Sequence, residues 1–126
     1  MYELNVPLHI LVGKKVVRLN LNHYRNMNYH ILNQAKIQFQ KEIQQQVFAL
    51  PQMSKIKIHY TVYYRDKRKF DLDNIVSVIA KFLQDSLVGA GIIEDDNYTI
   101  IIESSNSFGG ISKNNPRCLV QITEVT

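Results

Sequence analysis

Lys55-Ile56-Lys57-Ile58-His59-Tyr60-Thr61-Val62-Tyr63 is the stretch on which the fold turns. Ile56, Ile58, Tyr60 and Val62 alternate with Lys57, His59, Thr61 and Tyr63, and β-branched and aromatic side chains dominate, so the pattern predicts a strand with one buried face. The polar run Tyr64-Arg65-Asp66-Lys67-Arg68-Lys69 ends that strand in an exposed, charged loop. Asp71 or Asp73 then offers an N-cap, and Ile75, Val78, Ile79, Phe82 and Leu83 recur at helical spacing up to about Leu87, where Gly89 and Gly91 stop the helix.

Towards the amino terminus, Leu4, Val6, Leu8 and Ile10 alternate through Tyr2 to Val12, which predicts a half-buried strand, with Pro7 favouring an edge position. Gly13-Lys14-Lys15 supplies a turn, and Val16 to Leu21 returns as a second short strand or extended arm. From about Asn28 to Leu50, the residues Ile31, Leu32, Ala35, Ile37, Phe39, Ile43, Val47 and Phe48 fall largely three and four apart, predicting the first helix, ended by Pro51. Towards the carboxyl terminus, Tyr98–Ser104 and Cys118–Val125 read as two final strands joined by a mobile Gly/Ser/Asn-rich loop from Ser105 to Pro116. This order implies an α+β fold, a single domain over residues 1–126 whose mixed sheet carries two main helices on one side.

At 126 residues, 45% hydrophobic and 21% charged, the chain suits one globular domain, and no apolar run approaches a membrane span. The amino terminus lacks the features of a secretory signal, and the single cysteine, Cys118, excludes a disulfide or zinc framework and suits a reducing cytoplasm. Cys118 lies in an apolar pattern and reads as core. His9, His23, His30 and His59 show no ligand spacing. Neither Gly109-Gly110 nor Gly89-Ala90-Gly91 makes a phosphate loop, so no nucleotide cofactor is indicated. Charge is segregated. Before Asp66 the only acids are Glu3 and Glu42, against nine Lys and Arg, whereas Asp66, Asp71, Asp73, Asp85, Glu94, Asp95, Asp96 and Glu103 crowd one window. A basic surface with a concentrated acidic spot suits a metal-dependent nuclease, since cations hold the phosphate backbone while carboxylates hold a divalent ion.

Asp71-Leu72-Asp73-Asn74 opens a helix, where an N-cap aspartate and a first-turn acid also have a purely structural use. Glu94-Asp95-Asp96 follows the apolar Gly91-Ile92-Ile93, and the return through the two glycines is expected to bring this second group back towards the first. Convergent carboxylates raise one another's pKa unless a cation joins them. Mg²⁺ fits such oxygen ligands, keeps bound waters, and can present one for attack on a phosphodiester.

Arg68-Lys69-Phe70-Asp71-Leu72-Asp73-Asn74, a helix, and then Gly91-Ile92-Ile93-Glu94-Asp95-Asp96 resemble the signature of the RusA family of Holliday junction resolvases. The similarity is clear over about Tyr60 to Ile102, and Asn22-His23-Tyr24-Arg25 is similar to the segment after the family's first strand. The resemblance implies a homodimeric, Mg²⁺-dependent endonuclease that cuts four-way DNA junctions by paired nicks. It maps the catalytic acids to Asp71, Asp73 and Asp96, with Asp95 as a neighbouring ligand or orienting group. The family's helix lysine maps to Ser77 counted forward from Asp73, and to Lys81 counted backward from Asp85 and Asp95-Asp96; Lys81 is preferred. Eight residues of helix rise about 12 Å, so Lys81 is expected to meet a phosphate or Asp96 rather than Asp73. Arg65, Lys67, Arg68 and Lys69 are candidate DNA contacts by their adjacency to the acids, with Lys14, Lys15 and Arg25 behind them. The alternatives to a resolvase are a branched-DNA-binding protein without turnover and a nuclease of the same chemistry acting on flaps or forks.

Overall fold

In the computed structural model, which describes all of residues 1–126, the chain runs β1 (Tyr2–Val6), β2 (His9–Val12), β3 (Lys15–Arg18), α1 (Leu21–Asn26), α2 (Tyr29–Phe48), β4 (Ile56–Tyr64), α3 (Leu72–Gly89), β5 (Ile101–Ile111) and β6 (Arg117–Glu124). The main sheet has the order β1-β6-β4-β5, and β2 and β3 form a separate hairpin. β6 pairs antiparallel with both β1 and β4, whereas β5 pairs parallel to β4, so the sheet is mixed and the fold is α+β. The parallel pair requires a crossover, and α3 is that crossover.

The period-two pattern of β4 buries Ile56, Ile58, Tyr60 and Val62 on one face. β6 adds Cys118, Val120 and Ile122, and β1 adds Leu4 and Val6. Against this face α3 lays Ile75, Val76, Val78, Ile79, Phe82, Leu83 and Leu87, and α2 lays Ala35, Phe39, Ile43 and Val47. Phe39 and Phe82 meet edge to face at 5.5 Å, and Lys36 reaches Asp85 at 3.9 Å beside them. The buried Tyr60 hydroxyl accepts from Gln84 Nε2 at 3.1 Å, and burial pushes its pKa far up. Burial likewise pushes the Cys118 thiol up to about 12, which makes it a core residue and no nucleophile.

Three expectations are corrected. The single strand expected over Tyr2–Val12 is two, because Pro7 has no N–H for a ladder and the chain there leaves the main sheet for the hairpin. The edge position that Pro7 favoured does hold for β1. A short helix, α1, follows β3, capped by Asn20 Oδ1 on the His23 N–H at 2.9 Å. The expected loop Ser105–Pro116 is largely β5, while the strand expected from Tyr98 starts only at Ile101. β5 is an edge strand with no fully buried residue, so it shows none of the hydrophobic alternation that reveals β4.

The glycines of β5 have a geometric reason. Val62 pairs with Phe108 and Tyr63 with Gly110, so Gly109 is the extra residue of a bulge. A Cβ on Gly109 would stand 2.7 Å from Thr61 Cγ2 and 2.7 Å from the Tyr63 ring. Gly109→Ala is expected to displace the Tyr63 ring and cost about 1–3 kcal/mol of stability by urea unfolding; a variant of unchanged stability would show that the bulge is not this tightly packed.

Candidate functional site

The polar face of α3 is set by its packing. With Ile75, Val76, Val78, Ile79, Phe82 and Leu83 turned into the core, Asp73, Ser77 and Lys81 stand four residues apart along one exposed stripe. Both sequence candidates for the helix lysine thus share a line with Asp73. Ser77 is committed locally, its Oγ donating to the Asp73 carbonyl at 2.5 Å. Lys81 takes part in neither ion pair of the chain.

Asp71 is the N-cap of α3, and its Oδ1 accepts the Asp73 N–H at 3.2 Å. Asp73 Oδ1 accepts from Asn106 Nδ2 on β5 at 3.2 Å. Both aspartates are exposed, and each keeps an oxygen that neither bond uses. Asn74 faces the other way: its Oδ1 accepts the Leu21 N–H at 2.9 Å, fastening the start of α1 to the first turn of α3. Asn74 and Asn106 are the two residues around the acids whose roles escaped the sequence reading. An asparagine amide carries no periodicity, and Asn106 lay in a segment read as loop.

The second acidic group does not return to the first. Ile92 C=O accepts the Met53 N–H, and Asn97 C=O accepts from Ile100 and Ile101, so the Glu94–Asp96 turn belongs to the end where β4 and β5 begin. Asn106, Asp73's partner, lies five residues further along β5 from Ile101, about 16 Å of strand. No three His, Cys, Asp or Glu side chains of the chain are grouped closely enough to hold one ion. The expected convergence of Asp71, Asp73, Asp95 and Asp96 within a single chain is therefore corrected: a crossover helix separates the residues at its two ends. Within the turn, Asp95 accepts the Asp96 N–H at 2.7 Å and the Asn97 side-chain amide at 2.9 Å. The Asp96 N–H, then the Asn97 amide, holds the Asp95 carboxyl below the usual carboxylate range. Asp95 shapes the turn and Asp96 is exposed within it.

Arg65, Lys67, Arg68 and Lys69 form one loop between β4 and α3. Asp66 folds it, pairing with Arg65 at 3.5 Å and accepting the Arg68 N–H at 2.9 Å. A groove of about 420 Å³ runs beside this loop, floored by Phe70 and Leu72 and walled by Phe108 and Ile111 of β5. Phe70 contacts both Tyr64 and Phe108, with ring centroids at 4.5 and 6.0 Å. Lys14 lies in the two-residue turn of the β2–β3 hairpin and Lys15 opens β3, whereas Arg25 is exposed on α1. These three are spread over other elements and do not join the loop.

Two exposed carboxylates beside a cationic loop and an open groove match what a phosphodiester and a hard divalent cation require. The family model described as Endodeoxyribonuclease RusA matches residues 13–123. No curated protein matches the chain.

Asn74→Ala removes the acceptor of the part-buried Leu21 N–H. It is expected to lower stability by about 1–3 kcal/mol in urea unfolding and to speed amide exchange in α1 before the core; α1 amides that exchange as in the parent would show that the helix is held by other contacts.

Proposed function

The chain belongs to the RusA family of endodeoxyribonucleases, and on that footing we propose that it cuts four-way DNA junctions as a homodimer, by paired, symmetric, Mg²⁺-dependent nicks. The observation that carries this reading is the exposed pair Asp71 and Asp73 at the start of α3, directly beside Arg65, Lys67, Arg68 and Lys69.

The donor set fits Mg²⁺, which takes oxygen ligands, holds several waters and is commonly bound through one or two carboxylates. When bound, such an ion supplies charge neutralisation at the phosphate and a water acidified for attack. The chain's own residues do the rest. Asn106 fixes the Asp73 rotamer, the N-cap bond fixes Asp71, and the cationic loop holds the strand to be cut. Lys81, eight residues along the exposed stripe, neutralises a neighbouring phosphate.

The separation of Asp71 and Asp73 from Asp95 and Asp96 supports a site completed by a second copy. β5 is a free sheet edge of 11 residues, and Ile102, Phe108 and Ile111 on it are 43%, 52% and 48% exposed. A long open edge with exposed apolar side chains invites pairing with another strand. Two-fold pairing of β5 with β5 of a second copy runs the two α3 helices in opposite directions on one face. That turns the Asp71 and Asp73 end of one protomer towards the Asp95 and Asp96 turn of the other, and it yields the two matched sites that symmetric cutting needs.

A labelled synthetic four-way junction is expected to be nicked in pairs with Mg²⁺ and not with EDTA, while linear duplex is spared. Asp73→Asn is expected to bind the junction and leave it whole; cutting at the parent rate would remove the site from α3, and binding by the parent without any nick would make this a junction-binding protein. Equal cutting of flaps would make it a general branched-DNA nuclease.

Mixing separates a shared site from a self-contained one. Asp73→Asn and Asp96→Asn are each expected to be inactive, and their mixture to regain single nicks without paired cuts, because one of the two shared sites in a mixed dimer keeps all its acids. A mixture that stays inactive would mean that each protomer builds its site alone.

A further inference from the structure

A small cleft lies where the β2–β3 hairpin meets the end of β4. His9, Arg18 and Asn20 line one side, Tyr64 and Arg65 the other, and Ile75 of α3 forms its base. His9 and Arg18 stand directly opposite each other in the hairpin ladder, an arrangement that brings an imidazole and a guanidinium together with no carboxylate between them. No Asp or Glu lines the cleft.

Its donors exceed its acceptors. The only ion pairs in the chain are Lys36 with Asp85 and Arg65 with Asp66, so the half-buried Arg18 guanidinium has no carboxylate partner. Asn20 spends its carbonyl oxygen on the His23 N–H, which leaves its amide N–H groups to donate. A guanidinium drawn partly out of water without an anion carries an uncompensated desolvation cost, and a tetrahedral oxyanion offers the paired acceptors that its fork matches. The cleft is small, with about 50 Å³ of room.

We propose that this cleft binds a backbone phosphate of nucleic acid, held by Arg18, Arg65 and His9. The assignment of a phosphodiester rests on the endonuclease reading; that of an anion rests on the cleft. The site reaches the first turns of α3, on the face opposite Asp73. Ile75 lies two residues after Asp73, and Leu21, next to Asn20, is tied to Asn74. A phosphate here anchors the strand on the hairpin side of α3 while the loop Lys67–Lys69 holds it on the other side, so the hairpin sets the register of the DNA over Asp71 and Asp73.

The test uses the full chain, with inorganic phosphate and a four-way junction as probes. Phosphate is expected to shift the backbone amide resonances of Arg18 and Asn20 more than equimolar chloride does. In EDTA, Arg18→Gln is expected to reduce the slope of log affinity for the junction against log salt by about 0.9, while Arg18→Lys keeps most of it. Unchanged thermal unfolding of Arg18→Lys keeps the comparison valid should the glutamine variant misfold, and a full loss of slope with lysine would then count against a simple charge site. Phosphate shifts with a parental salt slope would make the cleft a free-phosphate site and overturn the nucleic-acid assignment. The absence of both the phosphate shifts and the change in salt slope would overturn the proposal. A parent protein that takes phosphate there yet binds no branched DNA would overturn the endonuclease reading and leave the anion site standing.

Discussion

The burial of one face of α3 against β4 and β5 is the contact on which the rest depends. Parallel strands cannot be joined by a tight turn, so β4 and β5 exist as a pair only because α3 carries the chain back across the sheet. The same packing fixes the helix about its own axis. Once Ile75, Ile79, Phe82 and Leu83 are turned inward, Asp73, Ser77 and Lys81 have no other place than the outer stripe. The candidate chemistry is thus the polar remainder of a packing solution, and a core change in α3 that rotated the helix would move every group on that stripe together.

Two asparagines convert this packing into a positioned site. Asn106 reaches from the edge strand to Asp73, and Asn74 reaches from the helix to the backbone of Leu21. One links the acids to the sheet, the other links them to the hairpin and α1. The part-buried Leu21 N–H would be left without a partner if Asn74 were lost, whereas the exposed Asn106 bond serves to orient the Asp73 carboxylate. Asn74 also explains why α1, which lies outside the main sheet, packs against the first turn of α3, while the β2–β3 hairpin rests on α2.

The crossover that builds the fold also separates the two acidic groups. An 18-residue helix rises about 27 Å, and the turn after it is anchored by Met53 and Asn97 at the start of the parallel pair. Closing that distance inside one chain would require unfolding the end of α3. The symmetric assembly proposed across the open β5 edge would close it without changing the protomer, and covering Ile102, Phe108 and Ile111, which water contacts unfavourably in the free chain, would favour it.

The sequence by itself determined β4, the two long helices, the hairpin turn and the carboxylate pair at the head of α3, because each rests on a local rule: side-chain period, helix capping or the conformational habit of glycine and proline. It also placed Cys118 in the core, through its apolar neighbours. Only the tertiary structure decided β5, since an edge strand is stabilised by the partner it pairs with and carries no hydrophobic alternation of its own; of the two glycines that looked like loop, Gly109 is there because Thr61 and Tyr63 leave no space for a Cβ, and Gly110 because its backbone takes a positive φ of 133°. The split of the first strand and the distance between Asp73 and the Asp95–Asp96 turn were likewise beyond local reading. A spacing along the chain says how many residues separate two carboxylates, while the direction in which the intervening helix crosses the sheet decides whether they meet.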